Sequence, residues 1–232
     1  MNLEVSGITV RFGKKTAVDN VSHVFPEGAI TVLMGSNGCG KTTLVKAMVE
    51  KFGGSGEISY VAQDVYGTVA LSVWDVVSLG RYDKSKFWSG LDKEDIKKVS
   101  DAVELMELSA QKDQIFDTLS GGEKQRCMVA RAIAQDTKWI ILDEPASNLD
   151  VRHTQHIMKT FRRLRDQEGK SFIIVIHDVN TAVRYADHFV LMKDGKITDT
   201  TDSLDPELLG RLYDSEFSMV RDGSGLPVFF PK

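Results

Sequence analysis

The string Gly35-Ser-Asn-Gly-Cys-Gly-Lys-Thr42 fits the pattern G-x-x-x-x-G-K-[ST] in full. Each residue type there answers a requirement of holding a polyphosphate. Glycines let the backbone turn successive N–H groups inward around phosphate oxygens. Lys41 carries a mobile ammonium for the β- and γ-phosphates, and the Thr42 hydroxyl is placed to ligate Mg2+. A helix that begins here directs its positive end at the same charges. A random chain of this length and average composition matches the pattern roughly once in a hundred, so a fortuitous glycine-rich turn is the weaker reading. The loop points to Mg2+ and ATP. It does not by itself choose among kinases, GTPases and motor ATPases, which share it.

A second feature is Trp139-Ile-Ile-Leu-Asp143-Glu144, an apolar run that ends in two adjacent carboxylates. Side chains alternate along a strand, so the two acids cannot do the same job. Asp143 suits the Mg2+ ion, usually through water. Glu144 is then free to polarise a water for attack on the γ-phosphate. Taken alone, a strand capped by solvated acids is the plainer reading. With a complete phosphate loop upstream, the functional reading wins.

These residues need a scaffold, and the hydrophobic pattern supplies one. Leu3 to Phe12 and Ala17 to Phe25 alternate like strands. Ala29 to Met34 is a short apolar run that ends in the glycine-rich loop, as a buried strand would. Lys41 to Lys51 reads as a helix, Gly53-Gly-Ser-Gly56 as a flexible break and Glu57 to Ala62 as a strand followed by Gln63. From Ser72 to about Ser109 the pattern is helical, with Val73, Val76, Val77 and Leu79 on one face and Val99, Val103, Leu105, Met106 and Leu108 on another. Glu123 to Gln135 reads as a strong helix, Trp139 to Leu142 as a buried strand, Val151 to Gln167 as a helix and Ser171 to Ile176 as a strand. Hairpins turn at Asp194-Gly195 and near Gly223 to Gly225. Strands alternating with helices argue for an α/β core with a mostly parallel sheet. The helical run is an insert into it.

Composition limits the function classes. The chain has 232 residues, 42% hydrophobic and 27% charged, enough for a sizeable core, and its formal net charge is −4. No basic excess asks for nucleic acid, and the cations Arg162, Arg163 and Arg165 sit among acids as on a solvated helix face. Cys39 and Cys127 form neither a metal spacing nor a disulfide framework and read as reduced thiols of a cytosolic protein. The N-terminus shows no signal-peptide pattern. No apolar stretch approaches the ~20 residues needed to span a bilayer, so work at a membrane would require another chain to do the spanning.

Leu119-Ser-Gly-Gly-Glu-Lys-Gln125 reads, as a bare string, as a helix N-terminus capped by Ser120. Lying just upstream of the acidic strand, it also resembles the signature of ATP-binding-cassette (ABC) ATPases, and further motifs of that family stand in order along essentially the whole chain. The resemblance implies a P-loop NTPase (RecA-like) core, an antiparallel β-subdomain and a helical subdomain inserted at about 66–135, all within one nucleotide-binding domain over 1–232. It implies that Gly35, Ser36, Asn37, Gly38, Cys39, Gly40, Lys41, Thr42 and Thr43 bind the nucleotide phosphates. Phe12 matches the aromatic that stacks on adenine, and Ala17 is carried over with the nucleotide-binding residues. Gln63 matches a glutamine that contacts Mg2+ and the attacking water, alongside Thr42 and Asp143. Ser147-Asn-Leu-Asp150 matches a loop that crosses between subunits, and His177 a switch histidine that touches the γ-phosphate. Each has a bland competitor: a core aromatic, an exposed polar residue, a helix cap, a satisfied histidine at a strand end. Order and spacing decide between them. In this family Ser120, Gly121 and Gly122 complete the ATP site of a second copy packed head to tail, which implies a homodimer.

Finer phrases resemble import ATPases for iron-siderophores, haem and cobalamin. They are Leu71 to Tyr82, Asn148 to His153, His177 to Asp187, and the ending from Leu212-Tyr-Asp to Leu226-Pro-Val-Phe-Phe. The resemblance then implies polytopic permease subunits, an extracytoplasmic substrate-binding protein and a peripheral position on the cytoplasmic face of the cell membrane. A soluble ABC ATPase of iron–sulfur cluster assembly is the alternative. DNA-repair ATPases of the superfamily need a long coiled coil, which is absent, and a kinase would carry an acceptor-site lid instead of the signature. Two departures stand out. Cys39 occupies a place where serine is usual and brings a thiol open to oxidation or alkylation. The stretch from Lys41 to Gln63 is much shorter than usual, which calls for a trimmed antiparallel sheet and perhaps a trimmed helix.

Overall fold

The computed structural model describes residues 2–63, 70–82, 90–147 and 149–232. Strands β1 (Leu3–Phe12) and β2 (Lys15–Phe25) form an antiparallel pair, and β3 (Ile30–Met34) leads into helix α1 (Lys41–Phe52). After β4 (Ile58–Val61) come helices α2 (Val73–Ser78), α3 (Lys93–Leu105) and α4 (Gly121–Ala134). Next are β5 (Trp139–Asp143), α5 (Val151–Glu168), β6 (Ser171–Val175), α6 (Val179–Tyr185), β7 (His188–Lys193) and β8 (Lys196–Thr201). Helix α7 (Pro206–Tyr213) and a hairpin of β9 (Phe217–Arg221) and β10 (Pro227–Pro231) close the chain.

The central sheet has the order β4-β5-β6-β3-β7-β8. All its pairs are parallel except β7–β8. Every residue of β3, β5 and β6 is buried. A parallel sheet covered on both faces demands such continuous apolar runs. One face packs with Leu44, Val45 and Met48 of α1 and with the β1–β2 pair. The other packs with the remaining helices, among them Phe161 of α5 against Phe172 of β6. Edge strand β8 alternates half-buried and exposed residues and carries Lys196 and Asp199, charges that discourage further pairing. Asp194 and Gly195 both have positive φ, which the tight β7–β8 hairpin requires.

Four expectations are corrected. The helical run from Ser72 to Ser109 is broken: α2 has 6 residues, and α3 starts afresh at Lys93 behind a capping box of Asp92 and Asp95. Leu79 is 46% exposed and off the buried face, because α2 has ended and Gly80 passes so close to Arg131 that a Cβ would lie 2.4 Å from its carbonyl. Gly53–Ser55 is a 3-10 turn that prolongs α1 and ends at Gly56 in the left-handed region, so the expected break is ordered. The antiparallel sheet beside the loop has two strands, of 10 and 11 residues, and α1 runs to 12 residues, so the helix is not cut short. Residues 66–69 and 83–89 of the expected insert lie outside the described residues.

The β1–β2 pair meets the core sheet through an imidazole stack. His23 of β2 lies parallel to His188 of β7, centroids 5.7 Å apart, and edge-on to Phe25. His188 is paired with Asp202 at 2.6 Å, and His23 Nε2 is buried with no hydrogen-bond partner among the described residues. Burial first, then His188, lowers the His23 pKa from 6.5. A base whose pKa is depressed by folding binds fewer protons folded than unfolded. Its share of stability is therefore lost as pH falls below about 6.5. In urea titrations across pH 5 to 8, stability is expected to decline on the acid side, and His23→Asn is expected to flatten that part of the profile. An unchanged slope in the variant would place the sensitivity elsewhere.

Candidate functional site

Parallel pairing brings the carboxyl ends of β3, β4, β5 and β6 to one edge of the sheet, where open α/β sheets bind ligands. From those four ends come the glycine-rich loop, Gln63, the pair Asp143–Glu144 and His177. The loop is tightly seated. Gly35 has φ +153°, and a Cβ there would lie 2.1 Å from the Met192 carbonyl; Gly40 has φ +111°, and a Cβ would lie 2.4 Å from the Ala17 carbonyl. Both positions therefore require glycine. Ala17 thus lies directly against the loop, at the start of the β2 strand. The Gly195 N–H donates to the Cys39 carbonyl at 2.9 Å, clamping the loop to the β7–β8 turn. Lys41 Nζ is buried and donates to the carbonyls of Gly35 at 2.8 Å and Ser36 at 3.1 Å. It lies across the loop whose phosphates it is expected to meet. Ser36, Asn37 and Gly38 form the exposed rim, and Thr43 is half-buried in the first turn of α1.

The two acids have separate surroundings. Asp143 is wholly buried and accepts from the Thr42 hydroxyl at 3.1 Å, while its second oxygen has no partner among the described residues. Burial raises its pKa, opposed by the Thr42 hydrogen bond and reinforced by the charge of Glu144. A buried carboxylate with a free oxygen beside a hydroxyl is a donor set for a hard cation such as Mg2+. Glu144 sits in the left-handed region at φ 52°, uncommon for a residue with a side chain. That turn swings its carboxylate away from Asp143 toward two other strand ends. The Gln63 amide donates to Glu144 Oε2 at 3.0 Å, and His177 Nε2 lies 2.6 Å from Glu144 Oε1. Both oxygens are thus held by groups from β4 and β6. Gln63 reaches Glu144 rather than the Thr42–Asp143 pair.

The remaining expected residues lie apart. Phe12 is 64% exposed at the tip of the β1–β2 pair. Ser120 caps α4: its hydroxyl and N–H both donate to Glu123 Oε2, at 2.7 and 2.8 Å, which lowers the Glu123 pKa. Gly121 and Gly122 form the first turn of α4. Asp150 caps α5 by accepting from the His153 N–H at 2.8 Å. Asn148, in the expected inter-subunit loop, lies outside the described residues. The bland helix-cap readings of Ser120 and Asp150 are therefore true of this chain, whatever these residues do toward a second copy.

Cys39 corrects an expectation. It is only 5% exposed, and burial raises its pKa against the pull of Lys41. A buried thiol kept protonated is a poor nucleophile, so the loop is shielded from alkylation rather than exposed to it. Sequence reasoning missed Met192 and Gly195, which shape the loop from the next strand pair. Only the Asp-Gly turn hinted at them. It also passed over Tyr60 on β4, whose phenol burial and Asp143 together push up to about 12.

A phosphate loop after a central parallel strand, faced by an acid at the end of a second strand, defines a P-loop NTPase fold. The family described as ABC transporter matches residues 18–147. The petrobactin import ATP-binding protein YclP of Bacillus subtilis (strain 168) is 34% identical over 98% of this chain and 99% of its own length. The ferric enterobactin transport ATP-binding protein FepC of Escherichia coli (strain K12) is 29% identical over 97% of this chain and 92% of its own. A metal-chelate type ABC transporter solved facing inward superposes with a TM-score of 0.84, at 23% identity, over 99% of this chain and 96% of that one. The chain belongs to the ABC transporter family, as an ATP-binding cassette; such cassettes are ATPases coupled to transport. A bacterial cassette of the same fold, TM-score 0.75, has been solved as a dimer; it is 23% identical over 88% of this chain and 99% of that one. Among the described residues, no helix is long and apolar enough to cross a membrane.

Replacing Gly40 by valine drives a side chain into the Ala17 carbonyl and forbids the observed φ. Gly40→Val is expected to weaken ATP binding by at least about tenfold, measured by equilibrium titration, with the far-ultraviolet circular dichroism unchanged. Parent-like affinity would show that the loop does not need this conformation.

Proposed function

We propose that this chain hydrolyses ATP to power uptake of a ferric siderophore or a similar metal chelate, as one of two copies bound to membrane permease subunits. The observation that carries the catalytic part is the convergence of Gln63 and His177 on Glu144, beside but separate from the Thr42–Asp143 pair. The names of relatives such as YclP and FepC support the cargo class and favour import over iron–sulfur cluster assembly.

The backbone N–H groups of Gly38 to Thr42 and the ammonium of Lys41 hold the phosphates, and Thr43 closes the first turn. The Asp143 carboxylate and the Thr42 hydroxyl would hold Mg2+. Bound there, the ion neutralises charge on the β- and γ-phosphates. Glu144 takes the proton of the attacking water. Each of its oxygens keeps a second lone pair free beside the bond from Gln63 or His177. His177 orients that carboxylate and lies where it can sense the γ-phosphate. Phe12 presents an exposed ring for the adenine, on a strand pair whose start, at Ala17, supports the loop.

Ser120, Gly121 and Gly122 belong to a second copy's site. The positive end of α4, 14 residues long, would face the phosphates held there. Asp150 and its loop would meet the same junction. ATP then closes the dimer and product release reopens it, a two-state element set by nucleotide. The inserted helices between β4 and α4 transmit this to the permease at the cytoplasmic face of the membrane. An extracytoplasmic substrate-binding protein delivers the cargo to the permease from the other side.

Glu144→Gln keeps the hydrogen-bonding shape and removes the base. ATPase rate is expected to fall by ~10²–10⁴, while ATP binding persists and an ATP-dependent dimer accumulates in size-exclusion chromatography. Hydrolysis at the parent rate would remove Glu144 from the mechanism.

A further inference from the structure

We infer that Tyr60 is a positioning residue for Asp143, its hydroxyl acting through a bridging water on the carboxylate oxygen that Thr42 leaves free. The inference rests on the Mg-ATP reading above and adds a residue that the reading does not use.

In the β4–β5 pair Tyr60 lies opposite Ile141 and Val61 opposite Leu142. Tyr60, Ile141 and, two residues on, Asp143 therefore share one face of the sheet. Their neighbours agree: Ile58, Trp139 and Ile141 pack with α1 and Tyr60 packs against them, while Val61, Ile140 and Leu142 pack on the opposite side. Thr42 in the first turn of α1 lies over the same face and takes Asp143 Oδ1.

Beside Thr31 Oγ1 in β3, which β6 separates from β5, two polar atoms on that face have no hydrogen-bond partner among the described residues: Tyr60 Oη and Asp143 Oδ2. Both are buried. Leaving a buried donor or acceptor unmatched is costly, and most buried polar groups find a partner. One is a phenol, a neutral donor at working pH, and the other is an acceptor-only carboxylate oxygen. They complement each other and do not meet directly, so one bridging water between them satisfies both. A donor on that oxygen fixes the plane of the carboxylate and so fixes what it offers a metal ion. Outer partners of metal ligands act in this way. Ser59 and Val61, the neighbours of Tyr60 in β4, point to the other face and cannot substitute.

Tyr60→Phe removes the hydroxyl and keeps the ring packed. The test is Mn2+ binding, followed by electron paramagnetic resonance with saturating AMP-PNP, beside AMP-PNP affinity measured in EDTA. The expected result is a Kd for Mn2+ raised about tenfold, with metal-free nucleotide affinity within twofold of the parent. A Mn2+ Kd equal to the parent's overturns the role. So does an equal loss of AMP-PNP affinity in EDTA and in Mn2+, which would mark Tyr60 as packing alone. If the parent itself bound no Mn2+ with AMP-PNP present, the Mg-ATP reading would fail first, and this assignment with it.

Discussion

Four side-chain sets can meet one phosphate only if the strands that carry them end on the same side, and parallel pairing of β4, β5, β6 and β3 enforces that. The pairing is possible because the strands are apolar on both faces and each crossover is covered by a helix. Every functional distance at the site follows from it. Thr42 reaches Asp143 past the intervening strand β6, and Glu144 is caught between Gln63 on one side and His177 on the other. A slip of one residue in β5 would turn Asp143 to the opposite face and leave Thr42 without its partner.

The same arrangement costs stability where it serves chemistry. Asp143 is a carboxylate taken out of water with one oxygen unmatched by any protein group among the described residues, Glu144 sits in a backbone region that disfavours side chains, and the loop glycines give up entropy. Around them the fold is conventional: capped helices, a tight Asp-Gly hairpin, charged edges. At the strand ends these departures converge on one place, as expected of a functional site held by an over-determined scaffold.

Much of this was legible in the sequence because it is local. The phosphate loop, the acidic pair and the Ser120 capping box are contiguous strings whose chemistry follows from residue type. The apolar runs of β3, β5 and β6 announce a buried parallel sheet. What was not legible depends on neighbours distant in the chain. That Gln63 and His177 would hold Glu144 follows from strand order, which no local pattern encodes. The burial of Cys39 comes from loop seating by Met192 and Gly195. Leu79 fits the helical period of α2 yet faces solvent because Gly80 must pass close to α4. The role of Tyr60 in β4 emerges only once β4 is paired with β5.

Within one chain, Ser120 and Asp150 spend their hydrogen bonds on capping their own helices, and the phosphate loop faces outward with no cover from them. The central claim is that this edge is half of a nucleotide site, completed by a second copy. Mixing two defective chains tests it directly, one carrying Lys41→Ala and the other Gly122→Asp. Neither alone is expected to form a dimer on adding Mg-ATP. Together they are expected to form a heterodimer that holds one ATP, seen as one nucleotide per two chains by native mass spectrometry. A Gly122→Asp chain that alone bound ATP and dimerised like the parent would contradict the account.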